Sequence, residues 1–527
     1  MEIDPLKEVK SLNVSKQLFR NTIFGWFEMG ILLVSGFIIP PLLLSRLGKE
    51  GYGLWLLIGQ LTAYLPILDL GVSSSVGRFV AKYNAKKDFE NLSQIISSSI
   101  FLFLFSSVCT VIITIIIWPN FSKFFNLSPE YFKIGRWLIL LTGFGIAIDF
   151  PFRIGGGVLQ GFHRFDLMYL LRASGAFVKL LFIVVLFGFL KCKSLIILGM
   201  LAVGVTIFTD LIMCRYAYIK TSSIVKLKYT LVKLSSLKEI WSLSLSALLI
   251  TIATLLFNQG QILGVGKIIG TEAVTIYAIP IMLLTYGSMV IAYIVGAFKP
   301  MASHMQALNE KIKLQKLNIA GVKISFSISL FIAILSIVFG YPFFKIWLHA
   351  SKDLSNSDFA LLSNVLKIMV IGFAVGVPQN VTAKMLSGME KQWFIAFISL
   401  VASLLGFCIG TILMMKTNLG FYGMAIGWAA VFIMKGVFVL PISACRHFGI
   451  KSLLYIKEAY LPPMIAASII VVIAYILRAT LDMTSIIIFA LCIILSVSIY
   501  AVAVYAFCLN KEQRIQIHSM LRKQPRT

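Results

Sequence analysis

The 527-residue chain is poor in charge. Lys, Arg, Asp and Glu together make up 13% of it, about half of what a soluble domain carries. That scarcity excludes a soluble enzyme and a disordered chain. Acids are scarcer than bases, 21 against 47, which leaves a net charge of +26. The five His (163, 304, 349, 447 and 518) are scattered and form no HExxH, so nothing here has the spacing of a zinc hydrolase. The seven Cys (109, 192, 214, 408, 445, 492 and 508) contain no CxxC pair. Unpaired thiols are expected, with neither a disulfide framework nor a metal centre. The first twenty residues are polar and lack a cleavable signal pattern. Nucleotide-binding motifs are also missing. Residues 260–267 read GQILGVGK, which lacks the spacing and the final hydroxyl of a P-loop. The glycines at 155, 156, 157 and 161 run one residue too long for GxGxxG, and no βαβ pattern surrounds them.

What the chain has in excess is apolar sequence: 59% of its residues, with a mean hydropathy of +0.93. A bilayer-crossing helix needs ~20 apolar residues. Such runs fall near 22–46, 52–77, 92–118, 132–159, 167–190, 194–219, 240–265, 273–298, 318–343, 358–386, 393–415, 420–446, 459–477 and 483–508. The expectation is an all-α integral membrane protein of about fourteen helices, with function inside the membrane or at its edges. Lys and Arg gather at the N-terminus, at 78–87, 215–238 and 299–323, and in the C-terminal tail. Counting through the runs puts all of these on one side. By the positive-inside rule that side is the cytoplasm, and both termini lie there. Topology therefore accounts for most of the positive charge, and no nucleic acid partner is expected.

The two halves look related. Residues 158–164 (VLQGFHR) and 385–391 (MLSGMEK) follow helices 4 and 10 at an offset of 227 (385 − 158). Pro151 and Pro378 match at the same offset (378 − 151). Leu198-Gly199-Met200 resembles Tyr422-Gly423-Met424, and Gly48-Lys49-Glu50 resembles Gly270-Thr271-Glu272, at offsets of 224 (422 − 198) and 222 (270 − 48). Units of six helices begin on the same side, which makes a parallel repeat of the kind transporters use, with the site at the repeat interface. The expected organisation is an N-terminal lobe (1–219), a basic cytoplasmic linker (220–239), a C-terminal lobe (240–446), two further helices (447–508) and a basic tail (509–527).

Charges inside the spans point to function, because each costs at least ~2.5–3.5 kcal/mol at bilayer depth. Glu28, Asp69, Asp149 and Asp210 are the acids, and Arg153, Lys179, Lys367 and Lys435 the bases. All four acids fall in the first half. Lys367 and Lys435 stand in a second half with no acid inside its spans. Each of these charges either faces a wet cavity, pairs structurally or snorkels to the interface. Asp149 and Arg153, at i and i+4 around Pro151, can pair along one face. Glu28 either lies near the headgroups or faces a cavity, Asp69 is placed to cap the serines after Gly71, and Asp210 is within reach of Arg215. Lys179 and Lys435 lie too deep to snorkel easily. Ser244, Thr251, Thr254, Asn258 and Gln261 recur at spacings of 7, 3, 4 and 3, one polar face of helix 7 that either lines water or glues helices. Gln259 beside them, and Gln379 and Asn380 after Pro378, are further polar candidates.

Residues 46–55 (RLGKEGYGLW), 69–72 (DLGV) and 78–81 (RFVA) resemble the opening of Wzx-type polysaccharide flippases. That family belongs to the multidrug/oligosaccharidyl-lipid/polysaccharide (MOP) exporter superfamily. Ile262-Leu263-Gly264 through Gly270 and Tyr277, Trp347-Leu348 and the two LxGxx[RK] turns are similar as well. The resemblance spans about residues 15–450. It implies two pseudo-symmetric six-helix lobes around a central cavity, plus two C-terminal helices. It also implies alternating access, by which undecaprenyl-pyrophosphate-linked oligosaccharide moves from the cytoplasmic to the periplasmic leaflet of a bacterial inner membrane. Cationic cavity positions are then Lys435, Lys179, Arg153, Lys367 and Arg78, with Asn258, Gln259, Gln261 and Asn380 as polar partners. Glu28, Asp69, Asp149 and Asp210 are candidates to bind a coupling H⁺ or Na⁺, and no other cofactor is expected. Relatives often carry Asp in helix 7 where this chain has Gln261, so an ion site built on that Asp is not implied. Expected partners are the lipid-linked glycan, membrane lipids, a polysaccharide polymerase and a chain-length regulator. The alternatives are a peptidoglycan-precursor (lipid II) flippase, a cation-coupled multidrug exporter and a membrane-embedded glycan polymerase or acyltransferase.

Overall fold

The computed structural model describes residues 5–509 and Arg514, apart from Leu70, Asn126 and all of 222–247 except Val225, Leu227, Leu231 and Val232. Most of the expected 220–239 linker, Ser244 and nearly all of the 509–527 tail therefore lie outside the described residues. Regular structure among the described residues is helical throughout. Thirteen helices there are long and apolar enough to cross a membrane, from Phe19–Asp69 to Ile486–Phe507.

Fourteen runs become thirteen at the first one. The runs at 22–46 and 52–77 share a single helix, Pro5–Thr62, whose backbone leaves helical geometry at Gly48 (φ 71°, ψ 177°). Only glycine takes that conformation without a Cβ clash. The second run also ends earlier than its hydropathy suggested. Pro66 has no N–H to donate and disfavours helix in the residue before it. The chain passes instead through a 3₁₀ turn, Leu65–Asp69, and a left-handed Gly71 into a separate helix, Val72–Ala85.

The proline breaks are built alike in both halves. In the third span, helix Pro129–Asp149 yields to a 3₁₀ turn Phe150–Arg153 and then helix Ile154–Gly161. Around Pro378, helix Asn356–Gly376 yields to Val377–Gln379 and then Asn380–Gly388. The turns that follow hold His163 (φ 57°) and Glu390 (φ 62°) in the same left-handed conformation, 227 residues apart (390 − 163). Gly48 and Gly270 are likewise both at positive φ. The repeat is thus present in the backbone as well as in the sequence.

The chain divides into two compact units, Met1–Leu255 with Gly266–Thr275, and Leu256–Val265 with Ile276–Thr527. The first is centred on Val76, Phe79, Ile95, Phe103, Phe150 and Val158, all buried. In the second, the last two spans, Ser452–Thr480 and Ile486–Phe507, pack on helix Lys311–Trp347 through Val338, Phe339, Ala466, Ile470 and Ala474. Tyr500 Oη donates to Ser327 O across that seam at 2.8 Å. The outer face of the last span carries Ile487, Leu491 and Ile494, each at least 60% exposed. These sit at i, i+4 and i+7, a stripe left for lipid. Buried hydroxyls bond back to the preceding turn, as Ser99 does to Ile95 O (2.7 Å) and Thr114 to Thr110 O (2.7 Å). Such bonds satisfy side chains where no water is available.

Candidate functional site

Local structure in the first unit concentrates charge. Pro151 ends helix Pro129–Asp149 at Asp149 and tightens the next turn, so Arg153 folds back one turn onto it. Arg153 Nε donates to Asp149 Oδ2 at 2.8 Å. Asp149 is only 2% exposed, and its Oδ1 has no hydrogen-bond donor. The guanidinium also lies 4.7 Å from the Phe150 ring centroid. Asp210, from helix Leu195–Thr221, sets its carboxyl against that of Asp149, with Arg153 and Arg172 as the cations facing it. Arg215, its expected partner, is not among them.

These groups line a cavity of about 740 Å³. Glu28 enters it from the first helix, Asp69 from the 3₁₀ turn and Lys179 and Arg172 from helix Phe165–Ile183, while Ser73, Gln160, Thr206 and Thr209 supply neutral polar groups. Four acids face three bases. All four acids marked in the sequence are therefore in one place, together with Arg153 and Lys179. Asp69 also accepts from the Ser73 amide at 3.0 Å, the local cap its position suggested. Lys179 makes no ion pair within 4 Å among the described residues, and it opens onto the cavity. A second cavity of about 210 Å³, bounded by Trp55, Thr62, Thr142 and Thr206, touches Asp149, Arg153 and Lys179 from another side. The three charges thus stand between two spaces. Four acids against three fixed cations leave the cavity an excess of one negative charge where the dielectric is low. A proton or a small cation arriving there is favoured.

The other sequence candidates lie elsewhere. Arg78 is exposed on Val72–Ala85 and is absent from the cavity wall. Lys435 is half-buried in the second unit, in a π-turn (Met434–Val439), and donates to Ser399 Oγ at 3.2 Å. Lys367 is half-buried on Asn356–Gly376, and Asn380 is half-buried at the start of Asn380–Gly388. The second unit's Asp358 stands in a helix's first turn, in a capping box with Ser355.

The expected polar face of helix 7 requires correction. Thr251, Thr254 and Asn258 are exposed together, but Leu256–Gly260 is a π-turn. The extra residue in that turn rotates everything after it. Gln261 is consequently buried, donating to Phe257 O (3.1 Å) and accepting from Tyr277 Oη (2.6 Å). Its amide is occupied by the protein and is not presented beside Asn258. Gln259 is half-buried, with an Oε1 that finds no donor. Gln379 is also committed internally. It is fully buried, donates to Tyr455 Oη (3.1 Å) and Tyr460 Oη, and accepts from Thr382 Oγ1 (2.8 Å). Arg172 was missed as a cavity residue, although its spacing of seven from Lys179 puts both on one helix face. Thr206, Thr209, Asp210 and Met213 show the same signal, i, i+3, i+4 and i+7.

A family model described as "Polysaccharide biosynthesis protein" matches residues 20–306, more than half of the chain. No curated protein matches it by sequence. Solved structures match the fold at low identity. A multidrug resistance MATE family transporter of the MOP superfamily, in its inward-facing conformation, aligns with TM-score 0.65 and 16% identity, over 81% of this chain and 98% of that one. A MOP superfamily transporter from Pyrococcus furiosus, whose binding pocket is described as of reverse polarity, aligns with TM-score 0.61 and 16% identity, over 82% and 96%. The lipid II flippase MurJ, inward closed, aligns with TM-score 0.62 and 16% identity, over 94% and 98%. The resemblance first read in residues 46–81 falls within the region the family model covers, and the fold is that of MOP-superfamily transporters. The chain belongs to the polysaccharide biosynthesis protein family, as a multi-pass membrane protein with a transporter fold.

Proposed function

We propose that the protein is a flippase that moves undecaprenyl-pyrophosphate-linked oligosaccharide, a surface-polysaccharide repeat unit, from the cytoplasmic to the outer leaflet of a bacterial inner membrane. Transport runs by alternating access and is coupled to H⁺ or Na⁺. The observation that carries this reading is the 740 Å³ cavity, where seven ionisable side chains meet inside a membrane bundle. Groups so costly to insert are retained for a task.

The roles divide by sign. Asp149 and Asp210 bind the coupling cation, with Arg153 holding one carboxylate oxygen and leaving the other open. Glu28 and Asp69 relay it toward the cytoplasm. Lys179 supplies an ammonium to the pyrophosphate, and Lys435 in the second unit is a further cation at depth. Lys is a good point-charge partner for phosphate oxygens. Both termini lie in the cytoplasm, and a polymerase with its chain-length regulator receives the product.

The test is translocation of a fluorescent lipid-linked oligosaccharide in proteoliposomes, with lipid II and a cationic drug as competing cargoes. Lys179→Ala with Lys435→Ala is expected to cut glycolipid transport at least tenfold. Unchanged transport in the double variant rejects the assignment. Preference for lipid II or for the drug moves it to a precursor flippase or a multidrug exporter.

A further inference from the structure

An amphipathic cavity of about 650 Å³ lies in the second unit, far along the chain from the charged site. It is lined by residues at the end of helix Lys311–Trp347 and by those joining the last two spans. Three membrane-crossing helices begin or end here, at Trp347, Thr480 and Ile486. Span ends lie at the level of lipid headgroups. Pro342, Ile346, Leu481, Met483 and Ile486 make an apolar wall, and Lys345, His349 and Arg478 stand at it.

The polar groups are arranged to leave positive charge unspent. Arg478 Nη1 donates to Val338 O at 2.7 Å, which fixes the guanidinium and leaves its other N–H groups available. Asp482 is the carboxylate in the lining. It is already satisfied by the Thr484 amide (3.0 Å) and Thr484 Oγ1 (2.9 Å). Neither Lys345 nor Arg478 forms an ion pair within 4 Å among the described residues. His349 Nδ1 contacts Ile346 O at 3.0 Å, which leaves Nε2. Two permanent cations face one carboxylate, an excess of a single positive charge.

We propose that this groove binds one anionic glycerophospholipid of the bilayer, with Lys345 and Arg478 on its phosphate and its acyl chains along the Ile346–Leu481–Ile486 wall. The single excess charge matches a monoanionic headgroup such as phosphatidylglycerol. The apolar wall matches the chains of a lipid that is already part of the surrounding membrane. The bound lipid would bridge helix Lys311–Trp347 to the C-terminal pair. This inference does not depend on the transported substrate.

The experiment titrates the purified full chain in detergent with palmitoyl-oleoyl phosphatidylglycerol and, separately, with the phosphatidylcholine of the same chains, counting bound lipids by native mass spectrometry. Wild type is expected to bind one phosphatidylglycerol at least tenfold more tightly than phosphatidylcholine. Each cation removed weakens that step by roughly fivefold, so Lys345→Gln/Arg478→Gln loses about 25-fold. Lys345→Gln alone leaves the Arg478–Val338 bond in place and loses about fivefold even if the double variant folds poorly. Lys352→Gln, an exposed lysine outside the groove, changes nothing. Equal binding of the two lipids, or equal phosphatidylglycerol affinity in wild type and Lys345→Gln, overturns the proposal. So does displacement of phosphatidylglycerol by an equal concentration of undecaprenyl diphosphate, which would make the groove a substrate subsite.

Discussion

At the scale of single residues, the account rests on what Asp149 and Arg153 do for each other. Asp149 is almost fully buried, and Arg153 is its ion-pair partner. Removing Arg153 leaves the buried Asp149 carboxylate without its ion-pair partner and beside a second carboxyl, a change that costs about 3–5 kcal/mol in buried pairs. Arg153→Gln is therefore expected to lower the thermal midpoint in detergent strongly. Arg153→Gln/Asp149→Asn should recover much of the loss, since position 149 then no longer buries an unpaired carboxylate beside Asp210. A double variant less stable than both singles would contradict the pairing. The six charged cavity residues found from sequence were found by lying inside apolar runs: a charge within such a run is expensive wherever it points. Depth also marked Lys367 and Lys435, which do not line the charged cavity, because it does not encode direction. Arg172 escaped because it lies near one end of its run, where an arginine reads as a topology signal. Its helical spacing from Lys179 was the available clue.

At the scale of elements, small residues and caps set how helices meet and where they start. Gly427 of helix Phe421–Ile433 lies directly on the Gly410 backbone of helix Gln392–Lys416, and a Cβ at position 427 would collide with it. Close approach of this kind is how membrane helices gain packing energy without a hydrophobic drive. Gly427→Leu is expected to separate the pair and cost about 1–3 kcal/mol or more, read as a lower midpoint in a thermal melt. An unchanged midpoint would show that the approach is slack. Helix Phe89–Ile117 starts at Asp88, whose carboxylate accepts from Asn91 Nδ2 (2.7 Å) and from the Asn91 amide (3.1 Å). These bonds hold the Asp88 carboxyl below its usual range. The folded group is the stronger acid, so its contribution is complete above the unfolded value and fades as pH falls through the folded one. Amide protection at Asn91 should drop on acidification below the ordinary carboxylate range. Asp88→Asn should keep the cap and lose that pH dependence. Element positions were largely legible, because a twenty-residue apolar run has few other fates. The π-turn at Leu256–Gly260 was not. One extra residue per turn leaves no mark on hydropathy, yet it turned Gln261 from a cavity candidate into the partner of Tyr277.

At the scale of the whole molecule, composition alone fixed the class. A chain this apolar and this poor in acids has no soluble fold available to it. The repeat was readable from four short matches, and the paired left-handed residues at His163 and Glu390 explain one of them. Both sit where the chain must reverse tightly after a proline-broken span, so the turn sequence is held in each half. The family model reaches residue 306, and the remainder of the chain is tied to known transporters by fold. What sequence could not supply was convergence: Glu28, Asp69, Asp149 and Asp210 are spread over 183 positions (210 − 28 + 1), and only packing brings them to one wall. That convergence underlies the proposed coupling, and one measurement tests it most directly. Proteoliposomes carrying an imposed pH or Na⁺ gradient are given lipid-linked oligosaccharide, and dissipation of the gradient is recorded alongside glycolipid movement for wild type and Asp210→Asn. The account predicts that substrate accelerates dissipation in wild type, and that Asp210→Asn binds substrate but neither dissipates the gradient nor accumulates cargo against it. Transport by Asp210→Asn at the wild-type rate, with the same response to both gradients, would contradict it.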